Sequence, residues 1–502
     1  MTGALTLGRW ISDRARTTPR RIAIEHRGRE VSYGELDAAS ERLAGDWLER
    51  GLRRGDRVAT LTGNSPEHVA AFFACARAGF VLTPLSWRLA PAELAYQLDD
   101  ADPALFLVED DYAELAAAAG RGYDRLEWPR PGARPQATAG SGMSGEGPAD
   151  RDPLLLVYTS GTTGKPKGAL LTHANCFWTN LGFDLATGVA GEDVVLQVLP
   201  QFHCGGWNVQ PLLAWWKGAT VVLERGFDAP RCLELVERRR VTTMMGVPAI
   251  YLFLAQEPGF ASADLSSLRR AVVGGAPMPE ALLAAWQERG VAVVQGYGLT
   301  EAAPNVLCLP PEDAVRKRGF AGKPYPYVEV ALRDPSTGGL LEGPAQGELV
   351  VRGPNVFAGY WRDPEATAAA MADGWLLTGD VAERDADGCY RIRSRLKDMY
   401  ISGGENVYPA EVEAVLHDHT AVAEAAVVGV PDERWGEVGI AAVVLAADAD
   451  ATADDLLDHC RARLARFKVP REVRFLDGLP RSALDKVRKD ELRSLLEREP
   501  AR

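Results

Sequence analysis

Between residues 31 and 85 the chain alternates helix and strand signals, and this constrains its fold more than any other feature. Ser32 and Glu35 have the spacing of a capping box, which predicts a helix that ends near Gly51. Val58–Leu61 predicts a strand. Ser65-Pro66-Glu67 predicts a second helix start, with serine as cap and proline in the first turn. Phe80–Leu82 predicts the next strand. Repeated units of this kind give an α/β fold, with a parallel sheet covered by helices on both faces. At 502 residues the chain exceeds one ordinary core, so two or more domains are expected.

The alternation does not run to the end. Residues 128–153, rich in Pro, Gly, Ala and Ser, predict a loose surface connector. Strand–helix alternation then resumes to about residue 330. Residues 327–393 carry short alternating runs, such as Gly347–Arg352 and Tyr390–Arg393, that predict antiparallel strands. Pro409–His417 and Thr452–Ala465 predict helices in a third piece. Residues 461–502 hold thirteen Lys/Arg against seven Asp/Glu. This excess is either a solvated basic face or a surface that meets a phosphorylated substrate.

The bulk numbers exclude several classes. Hydrophobic content of 46% and charged content of 25% suit a soluble globular protein. A net charge of −13 argues against a general nucleic-acid binder, so any anionic substrate needs local positive charge. Seven scattered cysteines without a CxxC read as reduced thiols in the cytoplasm. The histidines make no metal-ligand spacing, the first residues lack the apolar core of a signal peptide, and no apolar run reaches membrane-spanning length.

Chemistry first appears in YTSGTTGKPKG, Tyr158–Gly168, straight after the apolar run Leu154–Val157. Glycines let backbone N–H groups approach an anion, hydroxyls add donors, and lysines add charge. The stretch is not a Walker loop, because Thr159 stands where the first glycine belongs and Pro166 follows Lys165. By itself it fits a phosphate-binding loop and a flexible surface loop equally.

Further stretches follow in order: LPQFHCGG (Leu199–Gly206), GGAPMPE (Gly274–Glu280), GYGLTE (Gly296–Glu301), GWLLTGD (Gly374–Asp380), SRLKDMYISGGENVYP (Ser394–Pro409) and LPRSALDKVRK (Leu479–Lys489). In this order and spacing the chain resembles, over nearly its whole length, the adenylate-forming superfamily of acyl-CoA synthetases, luciferases and peptide-synthetase adenylation domains. It looks closest to the AMP-forming acyl-CoA ligases. The resemblance implies a large α/β N-terminal domain of several sheets (1–394) that includes a small barrel-like sheet. It also implies a hinge at 395–397 and a mobile α+β lid (398–502). It implies a ligase that uses ATP, Mg²⁺ and coenzyme A on a small acid, as a monomer or homodimer.

The resemblance also implies roles. Thr159, Ser160, Gly161, Thr162, Thr163, Gly164, Lys165 and Lys167 would wrap the departing phosphates. Glu301 would bind Mg²⁺, and Thr300 the α-phosphate. Tyr297 with Gly298, and Gly275-Ala276-Pro277 opposite, would flank adenine. Asp380 and Arg395 would take the ribose. Lys486 would bridge carboxylate and α-phosphate in the first half-reaction. Lys397 would be the hinge that then swings the lid. Gly403, Gly404 and Glu405 would shape the thiol tunnel, with Trp435 and Lys468 on its CoA side.

His203, Cys204, Gly205 and Trp207 fall where the family places the edge of the acyl pocket. QFHCGGWN has no Asp to pair an α-ammonium, which points to a plain organic acid, and a fatty or aromatic acid is expected. Trp207 has two readings, core packing as the stronger and an indole that shortens the pocket as the sharper. One position departs from the family pattern: Asp485 precedes Lys486 where glycine is usual. That leaves two alternatives, an adenylating enzyme with a non-CoA acceptor or an oxyacid such as nitrite, and a weakly catalytic nucleotide-binding protein.

Overall fold

The computed structural model describes residues 3–129, 147–159, 165–402, 405–432, 435–447, 449–464, 466–481 and 487–498. Compactness divides the chain into Met1–Val330 with Val351–Leu376, and Ala331–Val350 with Leu377–Arg502. Residues 331–350 and 377–394 therefore group with the C-terminal residues, so the expected line at 394 is not a boundary of compactness. Strand pairing draws them in: Ala345–Arg352 lies beside Trp375–Arg384 in one sheet, and Asp380 registers with Arg395.

The first unit contains two large sheets. The nine-stranded one has six parallel strands at its centre, including Val194–Gln197, Arg270–Val273 and Val293–Gly298. The seven-stranded one is parallel through Val81–Leu85, Arg57–Leu61 and Leu105–Val108, with an antiparallel margin. The local signals act as expected. Ser32 and Glu35 close a full capping box on the helix Tyr33–Glu49. The Ser65 hydroxyl accepts from the His68 N–H at the head of Pro66–Ala78.

Pro66–Ala78 is buried from His68 to Ala76, so that stretch is covered on all sides, and its residues are apolar nearly all round. Its Phe72 ring stacks on Trp207, centroids 4.6 Å apart, and Phe73 meets Trp215 edge-on. His68, on the same helix, reaches the Thr60 hydroxyl at 2.9 Å, and burial depresses its pKa to about 3. Burial likewise takes His173 down to about 4. Both rings are neutral in the fold, whereas the unfolded chain binds protons near 6.5. Each contribution is therefore whole above that value and declines as pH falls below it. From pH 8 to pH 5 the loss should be about 2 kcal/mol per ring. Denaturant titrations should show the decline, and the two imidazole resonances should not titrate above pH 5.

The second unit holds a five-stranded sheet built on the hairpin Val422–Asp432/Gly436–Leu445. Apolar clusters cover both faces, one around Tyr400, Val412 and Leu456, the other around Val428, Ile440 and Leu492. Pro409–His417 is a helix as expected, and the helix expected over Thr452–Ala465 runs Ala453–Arg461, opened by a Thr452–Asp455 capping box.

Candidate active site

Strands Pro153–Thr159 and Lys167–Thr172 run antiparallel, with Thr159 opposite Lys167. Ser160, Gly161, Thr162, Thr163 and Gly164 lie outside the described residues. Lys165 is exposed and Lys167 half-buried at the foot of the returning strand.

The strand Val293–Gly298 delivers GYGLTE to a short turn, Thr300–Ala302. Gly298 is required there, since a Cβ would stand 1.9 Å from the Pro304 carbonyl. The turn is fixed from a distance. The Phe357 N–H donates to the Glu301 carbonyl at 2.9 Å. Buried Asn355 donates to the Ala302 and Asn305 carbonyls, both at 3.0 Å. Asn175 in turn holds the carbonyls of Pro354 and Val356.

Glu301 is where the segments meet. Its Oε1 accepts from the Tyr360 hydroxyl at 2.8 Å. The Thr159 hydroxyl lies 3.4 Å from that oxygen and from the Lys167 carbonyl. The Lys167 ammonium sits 5.3 Å from the Tyr360 ring centroid. Burial, then Glu301, pushes the Tyr360 phenol well up, so it stays a donor. Among the described residues no three His, Cys, Asp or Glu are gathered as a metal cage. One carboxylate beside hydroxyls fits Mg²⁺, a hard cation that binds one or two carboxylates and completes its shell with phosphate and water.

The other expected residues fall as follows. Gly275, Ala276 and Pro277 are exposed just beyond the strand Arg270–Val273, and Gly275 has φ +82°. Tyr297 and Thr300 are half-buried. His203 is half-buried, its ring 4.6 Å from that of Phe202. Gly205 opens a short helix, Gly205–Asn208. The Cys204 thiol is buried 3.6 Å from Asn208 Nδ2, and burial pushes its pKa up.

Trp207 faces the core. It has no accessible surface, stacks on Phe72, takes His68 edge-on at 5.0 Å, and donates its indole N–H to the Gln201 carbonyl at 2.6 Å. The contacts match the stronger of the two sequence readings, core packing, with helix Pro66–Ala78 against one face of the ring. Trp207→Ala should cost about 3–5 kcal/mol of stability by chemical denaturation. The preference among acids of different chain length should not change.

In the second unit Asp380 is 4% exposed, and Arg395 Nε meets its Oδ1 at 2.7 Å. The two are cross-strand partners on Trp375–Arg384 and Tyr390–Arg395. Lys397 is exposed in the turn Leu396–Asp398. The Glu405 backbone pairs with Ser402, and Trp435 is half exposed. Lys468 is paired with both carboxylate oxygens of Glu411, at 2.7 and 2.9 Å. Gly403, Gly404, Asp485 and Lys486 lie outside the described residues.

Sequence reasoning missed Tyr360 and Asn355. Neither is charged, and Tyr360 lies 59 residues from the carboxylate it serves. The available signal was the polar run RGPN ahead of a Gly-Tyr-Trp.

Residues 11–361 match the family of AMP-binding enzymes, and residues 411–486 its C-terminal domain. A feruloyl-CoA synthase from an Amycolatopsis species is 44% identical over 97% of this chain and 98% of its own. An indoleacetate–CoA ligase from Aromatoleum aromaticum is 41% identical over 98% and 99%. The o-succinylbenzoate CoA synthetase MenE from Bacillus subtilis, solved with ATP and magnesium ion, superposes with a TM-score of 0.83 at 34% identity, covering 97% and 99%. The chain belongs to the AMP-binding, adenylate-forming enzymes and is an AMP-forming acid–CoA ligase.

Proposed function

We propose that the site around Glu301 activates an aromatic carboxylic acid with ATP, and that the acyl group then passes to the thiol of CoA. One observation carries the placement. Three segments far apart in sequence converge on a single carboxylate, with Lys167 against one of them.

In the first half-reaction an acid oxygen bonds to the α-phosphorus, the bond to the β-phosphate oxygen breaks, and pyrophosphate leaves. In the second, the thiol sulfur bonds to the acyl carbon, AMP leaves, and the thiol proton is released. Both partners of the first step are anions, so positioned cations must offset their repulsion. Lys165 and Lys167 would hold the leaving phosphates together with Ser160, Gly161, Thr162, Thr163 and Gly164. Bound Mg²⁺ supplies charge neutralisation at the phosphates, and Glu301 would be its protein ligand.

Thr300 would contact the α-phosphate, Tyr297 and Gly275–Pro277 would flank adenine, and Asp380 with Arg395 would hold the ribose. Lys486 would join acid and α-phosphate. Lys397 would act as the hinge, and Gly403–Glu405 and Trp435 would line the thiol path. Lys468 would reach CoA only by leaving Glu411. His203 would gate the carboxylate end, with Cys204 and Gly205 beside it. All seven cysteines are free and buried, which supports a reducing cytoplasmic setting.

The absent ammonium-pairing Asp argues for a plain organic acid, and the feruloyl and indoleacetate relatives favour the aromatic class. The test is thioester formation across arylpropenoates, arylacetates and straight-chain acids of matched size. An aryl acid should win by about tenfold or more in kcat/KM. A straight-chain winner would overturn the class, and pyrophosphate without thioester would overturn CoA as acceptor.

A further inference from the structure

Tyr360 enters the site from a segment that also holds Glu301 at its other end. The Phe357 N–H fixes the Glu301 backbone carbonyl, and the Tyr360 hydroxyl fixes its side chain. Tyr360 is itself locked. Its backbone registers with Ala169, and its N–H donates to the Thr367 hydroxyl at 2.8 Å. Phe357 lies edge-on to its ring at 4.9 Å, and the Lys167 ammonium stands near that ring. A phenol held this firmly does not follow the carboxylate; the carboxylate follows the phenol.

The two oxygens of Glu301 are not equivalent. Oε1 has the Tyr360 hydroxyl at 2.8 Å and the Thr159 hydroxyl at 3.4 Å. The Tyr360 hydroxyl is the close donor, and the single Thr159 proton is shared between Oε1 and the Lys167 carbonyl. Among the described residues none bonds Oε2. Hydrogen bonds to an ionised oxygen are roughly twice as strong as neutral ones, so the assignment of oxygens is energetically fixed.

We infer that Tyr360 is a positioning residue that ties down Oε1 of Glu301 and leaves Oε2 as the single oxygen offered to Mg²⁺. The inference rests on the reading of Glu301 as the metal ligand. It suits the ion, which demands near-octahedral geometry and keeps several waters, and so favours one oxygen over a two-oxygen chelate. Partners that orient a metal-binding carboxylate typically contribute 10–100-fold to metal affinity.

The test uses the full chain and Tyr360→Phe, which removes the hydroxyl and keeps the ring. ATP binding is followed by calorimetry over a Mg²⁺ series and in EDTA, with the melting temperature alongside. The Mg²⁺ concentration for half-maximal ATP binding should rise about tenfold or more. ATP affinity in EDTA should not move, and the protein should still melt in a cooperative transition within a few degrees of the unaltered one. In a Glu301→Gln background the same substitution should be silent. An unchanged Mg²⁺ midpoint would overturn the positioning role, and so would an equal loss of ATP affinity in EDTA. ATP binding to the unaltered protein that ignores Mg²⁺ would instead overturn the metal-ligand reading of Glu301, and this inference with it.

Discussion

Glu301→Gln should lower kcat/KM for acyl-CoA formation by about a hundred- to a thousandfold while the protein remains folded. The substitution keeps the shape of the side chain. Its amide oxygen can still accept from the Tyr360 hydroxyl, and the Phe357 and Asn355 bonds that hold the turn use backbone carbonyls, which are untouched. What disappears is one negative charge at the point where the proposal puts Mg²⁺ against the phosphates. Mg²⁺ prefers ionised oxygen, so an amide is a poor replacement. Activity assays at several Mg²⁺ concentrations, together with a melting curve, separate the two effects. A loss under tenfold at every Mg²⁺ concentration would mean that the phosphates are neutralised elsewhere.

Lys486→Ala should split the two half-reactions. Acid-dependent pyrophosphate release should fall by about a hundredfold or more, as expected when a charge that meets the transition state is removed. Thioester formation from a supplied acyl-adenylate should be spared, because the lysine has no task once the α-phosphorus has been attacked. Asp485 sharpens the test. If its carboxylate holds Lys486 back, Asp485→Gly should raise the first rate. Equal loss in both halves for Lys486→Ala would refute the hinge assigned to Lys397 and the alternation it serves.

Local signals in the sequence matched the fold where the physics is local. Ser32 with Glu35, Ser65 with Pro66, and Thr452 each mark a helix start within one residue, because a cap is a contact across three or four positions. The glycine-rich stretch and GYGLTE stood out through their order and spacing with the other motifs, because each alone fits an ordinary loop. Tyr360 and Asn355 were not visible. Their roles exist only because Gly359–Tyr360 pairs with Lys167–Thr172, and that long-range register is not written in either segment alone. Trp207 shows the same limit from the other side. Its place in the family pattern left core packing and a pocket wall both open, and its partners Phe72 and His68 come from a helix more than a hundred residues earlier. The grouping of residues 331–350 with the C-terminal unit likewise follows from the pairing of Ala345–Arg352 with Trp375–Arg384, not from composition.

The central claim is that an acid oxygen attacks the α-phosphorus of ATP at this site. Its most direct test is the fate of ¹⁸O from a doubly labelled aryl carboxylate, turned over with ATP, Mg²⁺ and CoA and read by mass spectrometry. One labelled oxygen should appear in AMP for each thioester formed. Label in inorganic phosphate, with ADP as the nucleotide product, would place the attack on the γ-phosphorus and contradict the account.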